Sequence, residues 1–177
     1  MSEATLQKLT FAQLAAMDHA SFMRTLGGLF EHSPWVAEAA WEQRPYAGET
    51  ALHDTMMAAV RGAPLARQLA FLKLHPELAG KEAQAGTMTD HSTFEQSGGG
   101  LNALTADELK ELRALNGQYA QRHGFPFIIH VLGHDKAQIF EALRTRARRE
   151  THEEQAAAFE QIASITRRRL RALFSLA

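Results

Sequence analysis

Thr105-Ala106-Asp107-Glu108-Leu109-Lys110-Glu111-Leu112-Arg113-Ala114-Leu115 carries the local signal that decides the fold. Thr105 and Glu108 stand three apart, the spacing at which each side chain satisfies a backbone N–H left open at a helix start. Leu109, Leu112 and Leu115 follow as one apolar stripe at helical spacing. The same grammar recurs outward along the chain. Thr10 and Gln13 form a second such box ahead of Leu14 and Met17, and Thr151 and Glu154 a third ahead of Phe159, Ile162, Ile165 and Leu173. Asp135 is placed to cap a helix carrying Ile139, Phe140 and Leu143. Phe22, Leu26 and Phe30 mark another buried stripe.

Prolines punctuate the rest. Ser33 is expected to cap, and Pro34 to open, a helix over 35–43 that stops near Arg44-Pro45. Leu52, Met56 and Val60 line a helix ended by Gly62-Ala63-Pro64. A helix over 65–74 is closed by His75-Pro76, because a residue before proline avoids the α region. Residues 79–101, rich in Gly, Ser and Thr, read as one long irregular stretch, a length that in a compact domain is often functional. Phe125-Pro126-Phe127-Ile128-Ile129-His130-Val131 is apolar, β-branched and broken by proline, so it reads as a short extended segment. The expectation is an all-α fold, a single compact domain over 1–177 with seven or eight helices.

Composition narrows the function classes. The chain has 177 residues, 19 Lys+Arg against 20 Asp+Glu, a formal net charge of −1, nine histidines and no cysteine. Without cysteine there is no disulfide framework, thiolate nucleophile or iron–sulfur cluster. The near-neutral balance argues against a dedicated nucleic-acid binder, which needs excess Lys and Arg to neutralise phosphates. No apolar run approaches the roughly 18 residues of a membrane span. The first ten residues do not read as a secretory signal, and Ser175-Leu176-Ala177 is not the usual peroxisomal address. A soluble cytoplasmic protein with no nucleic-acid or membrane partner is expected. Phosphate-binding glycine loops, dinucleotide fingerprints and the Gly-x-Ser-x-Gly elbow are missing.

What remains is a set of blocks in order: His75-Pro76-Glu77-Leu78-Ala79-Gly80; Ser92-x-x-Glu95-Gln96 leading to Gly99-Gly100-Leu101; Asn116-x-x-Tyr119; Gly124-Phe125-Pro126-Phe127-Ile128; with Phe30-Glu31-x-Ser33-Pro34-Trp35-Val36 before them and a closing helix over 146–170. In this order and spacing they resemble the family of 2-oxo-4-hydroxy-4-carboxy-5-ureidoimidazoline (OHCU) decarboxylases, enzymes of urate degradation. The resemblance covers most of the chain. It implies an all-helical, homodimeric enzyme without cofactor or metal that converts OHCU to (S)-allantoin and carbon dioxide.

By position, the resemblance implies His75 as catalytic acid/base, with Glu95 and Arg146 as further catalytic groups. It implies Pro76, Ser92, Glu95, Gln96 and the segment Phe127, Ile128, Ile129, His130 and Val131 as the substrate-binding set, the segment acting through its backbone. Two positions depart from the family pattern: Arg149 where an Asn is common, and His123 where an aromatic often precedes Gly-Phe-Pro-Phe. Arg144, Arg148 and Arg149 compete with Arg146 for register.

The residue types suit the reaction implied. Loss of carbon dioxide leaves an electron pair on a ring carbon, and the adjacent carbon–nitrogen double bond of OHCU absorbs it, so no external electron sink is required. An imidazole, with an ordinary pKa of about 6.5, suits proton delivery near neutrality. Arginine offers a planar fork for a substrate oxygen or carboxylate, which orients the substrate rather than driving the step.

Taken alone, the same residues have plainer readings. His75 is then a solvated helix end, Ser92 and Glu95 a capping box, Gln96 surface, and 125–131 a buried connector. Gly98-Gly99-Gly100 reads either as a flexible loop or as close backbone approach to a ligand. Arg167, Arg168, Arg169 and Arg171 form a solvated helix face offset by the upstream glutamates. Two further readings compete: a metal-dependent hydrolase built on the histidines, and a non-enzymatic helical module using the arginine-rich last helix.

Overall fold

The computed structural model describes residues 8–174, with the side chains of residues 82 and 84 excepted. The leader reading of residues 1–7 and the address reading of Ser175-Leu176-Ala177 lie outside the described residues. The elements in order are α1 (Phe11–Ala15), α2 (His19–Leu26), α3 (Trp35–Trp41), α4 (Glu49–Gly62), α5 (Leu65–Lys73), α6 (Lys81–Ala85), α7 (Asp90–Gly98), a tight 3-10 turn at Leu101–Ala103, α8 (Ala106–His123), α9 (Lys136–Arg146) and α10 (Thr151–Leu173). Eight of these helices have seven residues or more, and no strand occurs among the described residues. The fold is all-α. No helix of the described residues is long and apolar enough to cross a membrane.

The chain divides into two compact units: residues 8–63 with 165–174, and residues 64–164. In the first, α3 packs on α2 and α4, and Phe22, Leu26, Leu52, Met56 and Val60 are buried. The reading of the last helix as a solvated basic face holds at Arg168 and Arg171, which are exposed, and is corrected at Arg169. Arg169 is buried, paired to Glu31 at 2.9 Å and donating to the Leu29 carbonyl at 3.2 Å. Arg167 reaches Asp54 and Arg171 reaches Glu49. Position on the helix decides which arginine is solvated, and a run of like charges hides that phase.

The second unit holds every candidate site residue. Capping boxes start α8 at Thr105/Glu108 and α9 at Asp135/Gln138, as Thr10/Gln13 starts α1 in the first unit. Three local expectations are corrected. Ser33 gives no side-chain cap, and Pro34 itself occupies the cap position of α3. Thr151 and Glu154 are not a capping box: Glu153 accepts from the Glu150 N–H at 3.2 Å, while Glu154 is fully buried and turned to other partners. Residues 79–101 are not one irregular stretch, since α6 and α7 form there. Thr89, whose hydroxyl accepts from Ser92 N–H, caps α7, and Asp90 follows in its first turn, where its charge favours the helix N-terminus.

The glycine triplet closes α7 by packing. A Cβ at Gly98 would collide with the Leu132 side chain and one at Gly99 with Val131. Gly100 takes φ +74°, a left-handed geometry that favours glycine. Gly98 and Gly99 therefore let the Leu132 and Val131 side chains pack against the α7 backbone, while Gly100 serves the turn. The 125–131 segment is non-helical, as expected, with Phe125, Phe127, Ile128, Ile129 and Val131 buried.

Candidate active site

His75 follows the end of α5, its N–H bonded to the Leu72 carbonyl at 3.2 Å. With Pro76, it lines an open cavity of about 460 Å³ shared with Lys73, Glu77, Lys81, Gly124, Phe125 and Pro126. That volume lies in the range of small-molecule sites. The solvated helix end of the plain reading is thus a half-buried imidazole at a cavity wall.

Ser92, Glu95 and Gln96 stand at i, i+3 and i+4 on α7, so the helix places them on one face. All three are buried, at 3%, 7% and 7% exposure. Gln96 is not surface: its Oε1 accepts from Ala79 N–H at 2.9 Å and its Nε2 donates to the Glu77 carbonyl at 3.4 Å. It grips the turn after His75. It also lines a second cavity, of about 270 Å³, with Ala79, Met88, Leu101 and Leu109. Ser92, Glu95 and Arg146 are not among the residues lining either cavity.

Arg146 is the buried arginine of its cluster, at 7% exposure. Its Nε donates to Glu154 Oε2 at 2.9 Å, its Nη1 to the Ile128 carbonyl at 2.9 Å, and its guanidinium lies 4.6 Å from the Phe127 ring centre. Its Nη2 is buried without a hydrogen-bond partner among the described residues. Arg144 instead pairs with Glu111 at the surface, Arg148 is exposed, and Arg149 reaches Glu154 Oε1 from outside at 3.5 Å. Of these arginines, Arg146 is the one that contacts the 127–131 segment.

Tyr119 completes the cluster by donating its hydroxyl to Glu154 Oε2 at 2.7 Å. Burial pushes the Tyr119 phenol well above its usual range, and the Glu154 carboxylate adds to that, so the phenol stays protonated and a donor. His123, one turn further on, packs on Tyr119 and lies 3.0 Å from the Thr151 hydroxyl through Nδ1. Burial holds its imidazole below the ordinary range.

The 127–131 backbone is partly committed internally. The Ile128 carbonyl accepts from Arg146, the His130 N–H donates to Gln161 Oε1 at 2.8 Å, and the His130 carbonyl lies 2.9 Å from His134 Nδ1. Sequence reasoning gave no role to Gln161 or Glu154 here, and named Asn116 and Tyr119 only as motif positions. Each acts over a long chain separation, so no local pattern marks it. No group of three or more metal-ligating side chains gathers among the described residues, so the geometry lends the metal-hydrolase reading no support.

These features define an all-helical fold in which a helix-end histidine opens on a cavity, with a buried carboxylate–glutamine face on one helix and a buried arginine tied to a non-helical segment. The chain belongs to the OHCU decarboxylase family, whose sequence profile matches residues 15–171. It is 36% identical over 159 residues to 2-oxo-4-hydroxy-4-carboxy-5-ureidoimidazoline decarboxylase of Xenopus laevis, covering 90% of this chain and 91% of that one. It is 39% identical to the uric acid degradation bifunctional protein PucL of Bacillus subtilis, covering 91% of this chain but 32% of that longer protein. Among solved structures, (S)-allantoin synthase aligns with a TM-score of 0.76 at 28% identity, over 94% of this chain and 54% of that one. OHCU decarboxylase in the presence of (S)-allantoin aligns at 0.64 and 23% identity, over 80% of this chain and 92% of that one, a likeness of fold.

Proposed function

We propose that this chain decarboxylates OHCU to (S)-allantoin and carbon dioxide, with His75 as the catalytic acid/base. Family membership supports the reaction, and within the chain the carrying observation is His75 on the wall of the 460 Å³ cavity. The substrate bears hydroxyl and carboxylate on one ring carbon and the ureido-substituted carbon beside it. When the carboxylate leaves as carbon dioxide, its bonding pair moves toward the neighbouring carbon–nitrogen double bond, and the nitrogen takes a proton. The resulting enol is then protonated at the ureido-bearing carbon while its hydroxyl loses a proton to become the carbonyl. Delivery of that proton from one side only makes the product a single enantiomer.

The protein's task is to orient the carboxylate and deliver the proton to one face. His75 performs the transfer. Pro76 fixes the backbone beside it. The family resemblance assigns the ureido arm to Ser92 and Glu95, buried with Gln96 on one face of α7, and Gln96 shapes the wall by gripping residues 77–79. Arg146 anchors Phe127, Ile128, Ile129, His130 and Val131 through the Ile128 carbonyl and so sets the backbone offered to the substrate. It orients rather than drives, because tight pairing to the departing carboxylate stabilises the ground state. The homodimer implied by the resemblance and the cytoplasmic location expected from the sequence belong to the same proposal.

The test generates OHCU in situ from urate with the two preceding activities and follows allantoin. Faster formation than spontaneous decay, with excess of the S enantiomer, is expected. Racemic product at the spontaneous rate would remove the assignment.

A further inference from the structure

We propose that Asn116 is a positioning residue for His75, acting through the turn that follows the histidine. The proposal rests on His75 being the acid of the reaction above. Residues 77–79 lie outside any helix, and each has a polar backbone group held by a side chain from another element. Gln96 accepts from Ala79 N–H and donates to the Glu77 carbonyl, while Asn116 Nδ2 donates to the Leu78 carbonyl between them at 3.0 Å. Asn116 belongs to α8, 38 residues away in the chain, so the turn is clamped between α7 and α8.

The turn needs that clamp. Ala79 has φ +47°, the left-handed region, which a residue with a Cβ adopts only at a steric cost. Such a conformation persists only where its surroundings over-determine it. Gly80 closes the turn so tightly that a Cβ there would sit 2.8 Å from the Glu77 Cβ. Pro76 joins the turn to His75 with a fixed φ, so a shift at Leu78 is passed on rather than absorbed.

Asn116 is also an expensive choice for its place. It is 2% exposed, and its Oδ1 is buried without a hydrogen-bond partner among the described residues. A buried orphan acceptor destabilises, and a leucine would avoid it. The amide is useful there for the bond its Nδ2 makes to the turn that carries the catalytic imidazole.

Asn116→Leu removes that bond with little change in volume, and Asn116→Ser keeps a polar group too short to reach. In the coupled urate assay at 10 °C, with folding checked by circular dichroism, both variants are expected to lose kcat about 10- to 100-fold, the scale of a displaced catalytic group. KM should stay within about twofold, because the clamp acts on the proton donor rather than on uniform binding. The enantiomeric excess should fall in parallel, a change that loss of stability alone does not produce. If Asn116→Leu fails to fold, Asn116→Ser carries the test. A folded variant with unchanged kcat and unchanged handedness overturns the proposal. If the unsubstituted chain itself fails to accelerate allantoin formation, the reading of His75 falls first, and the role of Asn116 with it.

Discussion

Glu154 is the carboxylate on which the buried half of the site is assembled, and Glu154→Gln tests whether its charge is integral. The substitution keeps the shape but leaves the Arg146 guanidinium facing a neutral amide. Two regimes are possible for the pair. An exposed ion pair is worth about 1 kcal/mol or less, whereas breaking a buried one costs about 3–5 kcal/mol, because the surviving charge is left uncompensated. The side chains of Arg146 and Glu154 are 8% and 0% exposed, which selects the second regime. Arg149 adds little: it is 46% exposed and 3.5 Å away. With a urea m value of about 2 kcal/mol/M, a loss of about 3 kcal/mol moves the denaturation midpoint down by about 1.5 M. Equilibrium urea unfolding, with the slope fitted for both proteins, reads this directly. The double variant Arg146→Met/Glu154→Leu should recover part of the loss, since it leaves no charge unpaired. A midpoint shift below about 0.5 M for Glu154→Gln, equivalent to the surface-pair scale, would refute the reasoning.

Further expectations follow from neighbouring contacts. Tyr119→Phe removes one donor to a buried carboxylate and should lower stability by about 1.5–3 kcal/mol, read by the same unfolding curves. Gly99→Ala, whose Cβ would strike Val131 and sit 3.1 Å from Ile139 Cδ1, should destabilise by about 1–3 kcal/mol. Gly117→Ala, with open space around the new carbon in mid-α8, should stabilise by about 0.5–1 kcal/mol. If the two alanine variants behave alike in thermal melts, the packing account of the glycine triplet is wrong. His123 has a pKa lowered by burial from its ordinary 6.5, so the unfolded chain takes up its proton at a higher pH than the folded one. Its contribution to stability is complete above pH 6.5 and is lost as pH falls toward the depressed value. His123→Phe should flatten the acid side of the Tm–pH curve, and an unchanged curve would contradict the buried neutral imidazole.

Where a helix start is encoded in four consecutive residues, the sequence was enough. Thr10, Thr105 and Asp135 cap as their spacing predicts, because capping is a local hydrogen-bond exchange. The same pattern misled at Thr151/Glu154, where a glutamate suited to a box is instead taken by Arg146 and Tyr119. Helix α7 was hidden for a related reason. Its Ser, Thr and Gly content reads as loop, yet Thr89 caps it and the glycines serve close packing on 131–132. Arg169, within a run of arginines, gives no sign in its neighbours that it alone is buried on Glu31.

The site was legible in a different way. His75, Ser92, Glu95, Gln96 and Arg146 were nameable through family resemblance, while their local patterns favoured plain readings. What holds them was not legible. Asn116 meets Leu78 across 38 positions, Tyr119 meets Glu154 across 35, and Gln161 meets His130 across 31. Contacts of that range leave no periodicity in the chain.

The most direct test of the central claim is the coupled assay on His75→Asn beside the unsubstituted chain, with allantoin resolved on a chiral phase. Loss of turnover by about 10²–10⁴-fold, the scale of positioned acid–base catalysis, with a retained helical spectrum and a product drifting to racemic, is the result predicted. A folded His75→Asn variant that still makes (S)-allantoin at the parent rate would contradict it.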